Sequence, residues 1–354
     1  MQAGLETSLE ALEMLRDTGC EFDGYLSNHG PMASDALIAM GYDATVVPWV
    51  DVYRRRLDTA DSATDRIGTS EQEWRCALGD VRRVEDWIDF FRRELAERPW
   101  QEVLVLWWPR LSPGIAAAAA HGIIRTAHAV RAISRSVEPP LPPLLDELAR
   151  GLGYWACRYH AFPERPTRYG SRPVDEVVEV LPRLPRQVPA DGPGIMGRMV
   201  PAMTLPRLTD TCAEVRPPVD VEQALGELTG AAARVFVRQP KAPIPLVHAL
   251  TAPAALRFLL PHLPEAHHRN AFAAVWQLSA VIVAAFDHPS TRIPLPDVGT
   301  TPLAPEELAG RAAEHGDEHV IKMTEACIRE NARHPVPYYL HAAGAALERI
   351  EPLM

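Results

Sequence analysis

A chain of 354 residues with 47% apolar content can bury a large core, in one domain or two. Its 46 acidic against 36 basic residues give a net charge of -10. The densest basic spot, Arg54–Arg56, is followed at once by Asp58, Asp61 and Asp65, which argues against a nucleic-acid partner. The five cysteines, Cys20, Cys76, Cys157, Cys212 and Cys327, form no CxxC pair, so a zinc ribbon or dithiol redox centre is not expected. The first residues carry no basic n-region, and no stretch reaches the ~18 uncharged apolar residues of a membrane span. A cytoplasmic protein without membrane or nucleic-acid partners is the expectation.

Helical periodicity dominates in chain order. Leu5, Leu9, Leu12 and Leu15 lie on one stripe and predict a helix over 5–16. His29 stands just before a helix that Pro31 would start. Trp87, Ile88, Phe91 and Leu95 predict another helix over 84–97. Further helices are read at 112–136, 142–160, 219–237, 246–260, 265–286, 305–331 and 336–350. Val177 to Leu181 is the best strand candidate. Many of the 34 prolines fall between Glu138 and Pro245, and 162–218 reads as an irregular Pro-rich excursion from a single all-α domain spanning 1–354.

Two glycine patterns invite a nucleotide reading and do not support it. Gly192, Gly194 and Gly197 spell GxGxxG, and Gly151, Gly153 and Ala156 spell GxGxxA. A dinucleotide fingerprint needs a preceding strand and a following helix, and neither pattern has that setting. The histidines carry more. His121, Arg125 and His128 share one face of a helix, and His315, His319 and Lys322 repeat that spacing on another. His248 and Thr251 sit one turn apart on a third. Imidazole is the commonest nitrogen ligand, and facing helices can aim several at one ion. Taken singly, each is an ordinary core or surface histidine more often than a ligand. His160, His262, His267, His268, His288, His334 and His341 receive that ordinary reading.

Four motifs, in order, carry a resemblance: Ser27-Asn28-His29-Gly30-Pro31-Met32; Leu111-Ser112-Pro113-Gly114 leading to His121-Gly122-Ile123-Ile124; Val247-His248-Ala249-Leu250-Thr251; and His319-Val320-Ile321-Lys322. Together they resemble the signatures of the questin oxidase-like family, over about residues 5 to 345. The resemblance implies an all-helical oxygenase that opens anthraquinone-type polyketide rings with O2. It implies one iron held by His29, His121, His248 and His319 with a carboxylated Lys322, and Thr251 as hydrogen-bond partner of that lysine. Arg125 stands where the family often has a further histidine. NADPH is a conceivable reductant.

The chemistry is coherent. Four neutral imidazoles leave iron(II) at +2, so an anionic ligand lowers the penalty of burying it. A lysine whose amine is neutralised by burial can take up carbon dioxide and become a carbamate, a carboxylate on a long stem. A flat substrate calls for an aromatic pocket, for which Trp107, Trp108, Trp155, Phe258 and Trp276 are candidates, with Arg125 and His128 to orient a phenolate. Glu325, one turn after Lys322, could receive an imidazole N–H. A divalent-metal hydrolase on the same residues, or a helical binding protein with structural histidines, are the competing readings.

Overall fold

The computed structural model describes residues 2–136, 138–166, 169–297 and 300–353. The chain divides into two compact units, Met1–Ala161 with Phe258–Glu265 and Phe162–Arg257 with Ala266–Met354. Among the described residues the only sheet is two-stranded, Glu21–Phe22 antiparallel to Leu26–Ser27, so the fold is all-α.

The first unit contains α1 (Gln2–Leu15), α2 (Gly30–Ala39), α3 (Asp43–Tyr53), α4 (Glu71–Ala77), α5 (Val84–Glu97), α6 (Trp100–Leu111), α7 (His121–Ser134) and α8 (Pro142–Cys157). Helix α4 opens on a capping box, in which the Ser70 hydroxyl and the Glu73 carboxylate satisfy each other's backbone N–H. Helix α5 turns Trp87, Ile88, Phe90, Phe91 and Leu95 inward. Helices α5 and α7 both pack on α8, and three glycines let their backbones approach. A Cβ on Gly122 of α7 would lie 2.8 Å from Trp155 Cγ, and one on Gly151 would lie 3.0 Å from Thr126 Cα. A Cβ on Gly153 would lie 2.9 Å from the Ile88 backbone nitrogen. Gly151 and Gly153 are thus helix-packing residues, not part of a nucleotide loop.

The second unit contains α9 (Val174–Val180), α10 (Met196–Met203), α11 (Leu208–Cys212), α12 (Val221–Arg238), most of α13 (Pro243–Leu259), α14 (Glu265–Phe286), α15 (Pro305–His315), α16 (Glu318–Arg333) and α17 (Tyr338–Arg349). Asp220 caps α12 and Asp317 caps α16, each accepting two backbone N–H groups at the helix start. Helix α17 packs on α12, α15 and α16, and α9 packs on α12.

Several expectations need correcting. The strand expected at Val177–Leu181 is helix α9 and its C-cap, because Val174, Val177 and Val178 present an apolar face at helical spacing. The continuous helix expected over 112–136 begins only at His121. Ser112–Gly114 and Ala117–Ala120 are short 3-10 turns before it. The helix expected over 305–331 breaks at Gly316, whose left-handed φ of 77° ends α15. His315 therefore does not share a helix with His319 and Lys322. Two helices, Pro243–His262 and Glu265–Phe286, are long and apolar enough to cross a membrane although each carries a charged residue, and 78% and 72% of their most apolar stretches are buried within the protein.

Candidate metal centre

The first histidine pair is built by two unusual helix starts. Asn28 ties its own loop down by donating to Thr18 Oγ1 and the Gly19 carbonyl, while its Oδ1 accepts the Gly30 N–H at 2.9 Å. The His29 N–H donates to the Tyr53 hydroxyl, and His29 serves as the N-cap residue of α2. Gly30 packs closely here, since a Cβ would lie 2.7 Å from a Leu15 methyl, which would have to move. His121 follows three successive alanines in left-handed backbone, Ala118, Ala119 and Ala120, with φ of 47°, 55° and 84°. Such a conformation is unfavourable by roughly 1–2 kcal/mol per non-glycine residue and persists only where its surroundings impose it. Here it brings the Ala118 carbonyl to 2.5 Å from His121 Nδ1.

That contact fixes the chemistry of the ring. A carbonyl only accepts, so Nδ1 carries the proton and Nε2 is a bare lone pair. His29 has the same arrangement, with Nδ1 2.6 Å from the Ser27 carbonyl. Yet the two Nε2 atoms face each other at 2.8 Å, and the rings meet edge-on. Two lone pairs at that distance repel unless a proton or a metal ion lies between or beside them. Two imidazole nitrogens bound about 2.1 Å from one ion, at right angles, would stand about 3.0 Å apart.

The second pair lies on α13 and α16. His248 is fully buried, and its Nδ1 is 2.9 Å from the Ile244 carbonyl one turn earlier, which again selects the Nδ1–H tautomer of the neutral ring. His319 is the second residue of α16, its Nδ1 3.5 Å from the capping Asp317 carboxylate. The His248 and His319 rings lie 5.6 Å apart, edge to face. All four histidines are buried, one pair in each unit, and imidazole nitrogens of this kind could hold a metal ion.

Lys322 is on α16, one turn after His319, so the two share a face. Its side chain is 1% exposed, and its Nζ has no hydrogen-bond partner among the described residues. Burial pushes its ammonium down to about 7, although Glu318 and Asp317 act in the opposite direction. A half-neutral buried amine is the form that reacts with carbon dioxide.

Other residues named from sequence have different tasks. Thr251 Oγ1 donates to the Val247 carbonyl at 3.0 Å, so its one proton is not offered to Lys322. Arg125 is 2% exposed and grips Glu147 with two bonds, at 2.7 and 2.9 Å, and stays charged. His128 Nδ1 lies 2.7 Å from Asp35 Oδ2, which also accepts Arg131 Nε at 2.6 Å. Burial alone would raise the Asp35 carboxyl, but Arg131 and His128 hold it well below the usual carboxylate range. Arg125 and His128, expected to orient a substrate, are thus both engaged by internal carboxylates. Glu325 accepts from Arg329 Nε at 3.0 Å. The tryptophans are core residues. Trp107 packs among Trp74, Trp87, Phe90 and Phe91, while Trp108 meets Trp155 edge-on. Trp155 and Trp276 donate to the Gly114 and Cys212 carbonyls. Phe258 lies under the Arg131 guanidinium, at 4.3 Å.

Sequence reasoning missed Asp317. An aspartate two residues before a helical histidine is an N-cap signal, hidden here by reading 305–331 as one helix. The sequence matches the family described as Questin oxidase-like over residues 26–327. The chain belongs to the questin oxidase-like family. No curated protein matches it. The family's match begins just before the His29 motif and ends beyond Lys322, so all four histidines and the lysine fall inside it.

Proposed function

We propose that this member of the questin oxidase-like family is an iron-dependent oxygenase that uses O2 to oxidise or cleave an aromatic, quinoid small molecule, of the kind made by polyketide assembly. One observation carries the reading: two histidine Nε2 atoms, each with a carbonyl on the other ring nitrogen, face one another at 2.8 Å in the buried His29–His121 pair. Such a pair makes sense beside a cation. His29, His121, His248 and His319 would hold it, and Lys322 as a carbamate would supply the anionic ligand. Bound iron(II) supplies the electrons with which O2 is activated.

The chain's own residues prepare that chemistry. The Ser27, Ala118 and Ile244 carbonyls select, in three neutral rings, the Nδ1–H tautomer whose Nε2 can ligate. Burial of the four rings excludes the water that would otherwise compete for them. The buried Lys322 amine, without a hydrogen-bond partner among the described residues, is suited to carboxylation. A nicotinamide reductant such as NADPH completes the electron balance if one oxygen atom leaves as water. A cytoplasmic setting without membrane or nucleic-acid partners fits this proposal.

The test is oxygen uptake. The iron-loaded protein should consume O2 only when a hydroxyanthraquinone is added, and NADPH dependence should be read in the same cell. Zinc loading with ester hydrolysis and no oxygen uptake would replace the oxygenase reading with a hydrolase.

A further inference from the structure

His315 was singled out by its place in the His-Gly-Asp-Glu-His run, and the metal reading makes no use of it. It is the last residue of α15, and the turn that follows it delivers His319. The Asp317 N–H points at His315 Nδ1 at 3.4 Å, which makes that nitrogen the acceptor and places the ring proton on Nε2. Nε2 then donates to the Ile350 carbonyl at 3.0 Å. The His315 carbonyl in turn accepts the Leu353 N–H at 3.1 Å. Between them Gly316 is left-handed, and a Cβ there would approach Leu353 Cβ to 3.3 Å. The segment Ile350–Leu353 therefore holds the turn from both sides of His315, and it lies beyond the residues matched by the family.

The grip continues to the ligand. Asp317 Oδ1 accepts the His319 N–H at 2.8 Å and the Val320 N–H at 3.1 Å, and lies 3.5 Å from His319 Nδ1. One carboxylate oxygen thus sets the first turn of α16 and faces the ligating ring, while the ring of His315 sets the backbone of that aspartate. Groups that orient a ligating imidazole typically change metal affinity 10- to 100-fold when removed.

We propose that His315, held by Ile350–Leu353, is a positioning residue for His319 that raises the affinity of the site for its metal. This rests on the reading of His319 as a ligand. The test is Co(II) affinity of the full chain, measured by competition with a chromophoric chelator, alongside thermal melting of the metal-free protein. His315→Ala should bind Co(II) about 10- to 100-fold more weakly. Its metal-free melting temperature should fall no further than that of His341→Ala, which removes an imidazole from α17. His315→Gln, which keeps a donor and an acceptor on the side chain, should recover most of the affinity. Should His315→Ala melt early, Leu353→Pro decides, since it removes the backbone N–H given to the His315 carbonyl together with the leucine side chain beside Gly316, and should weaken Co(II) binding in the same direction. Co(II) affinity within twofold of wild type in His315→Ala, or in Leu353→Pro where that variant decides, overturns the brace, provided His319→Ala binds weakly. Wild-type affinity in His319→Ala removes the metal reading and the brace together.

Discussion

Replacing Ala118 by glycine should stabilise the protein, the reverse of what this substitution does in a helix. The Ala118 φ of 47° is left-handed, a conformation that disfavours alanine by roughly 1–2 kcal/mol and glycine hardly at all. Against this relief stands the greater freedom of glycine in the unfolded chain, about 0.4–1 kcal/mol. The Ala118 methyl is only half-buried, so little apolar contact is lost. The balance favours Ala118→Gly by about 0.5–1 kcal/mol, or roughly 1–4 °C in melting temperature for a unit of this size. Ala119 and Ala120 have the same backbone but buried methyls, each worth about 0.8 kcal/mol, so their glycine variants should be close to neutral. Ala132, inside α7, is the control and should lose about 1 kcal/mol. The assay is thermal melting of the metal-free protein, since bound metal would add its own stabilisation. An Ala118→Gly loss equal to that of Ala132→Gly would refute the left-handed turn and with it the way His121 is aimed.

Three further outcomes follow from buried charge. Glu147→Leu leaves Arg125 buried without its carboxylate and should destabilise by about 3–5 kcal/mol in urea unfolding, whereas the double variant with Arg125→Met should recover most of that loss. Burial would raise the Asp287 carboxyl, but Arg292, Arg183 and Arg238 around it hold it down at about 2, so its stabilising effect is complete above the unfolded value near 3.9 and is lost as pH falls through about 2. Asp287→Asn should therefore lower the melting temperature at pH 7 and flatten the wild-type decline measured between pH 4 and 2. Lys322 has a depressed folded value of about 7, so burying its amine opposes folding fully below pH 7, and the opposition fades as pH rises toward the unfolded value near 10.4. Lys322→Met should accordingly stabilise the metal-free protein more at pH 6 than at pH 9.5, in buffer freed of carbon dioxide.

The helical character of the chain is legible because its apolar residues recur at helical spacing over long stretches. The stripe of Trp87, Ile88, Phe91 and Leu95 and the run from Glu265 to Phe286 coincide with α5 and α14 to the residue. What periodicity does not reveal are the interruptions. Alanine favours helix, so nothing local announces that Ala118 to Ala120 turn left-handed, a state imposed by packing. Gly316 did announce a stop, and its signal was outweighed by apolar spacing on either side. The histidine group was beyond any local pattern, because its members come from four separate stretches of chain, and only motif order tied them together. Arg125 and His128 were read as substrate groups because sequence does not show their partners. Glu147 and Asp35 lie 22 and 93 residues away.

Metal content tests the central claim most directly. After anaerobic loading with iron(II) and gel filtration, elemental analysis should find close to one iron per wild-type chain. Replacing His29, His121, His248 or His319 singly by alanine should reduce that content sharply, with the fold intact by circular dichroism. A wild-type chain that retains no metal, or four alanine variants that retain as much as wild type, would contradict the account.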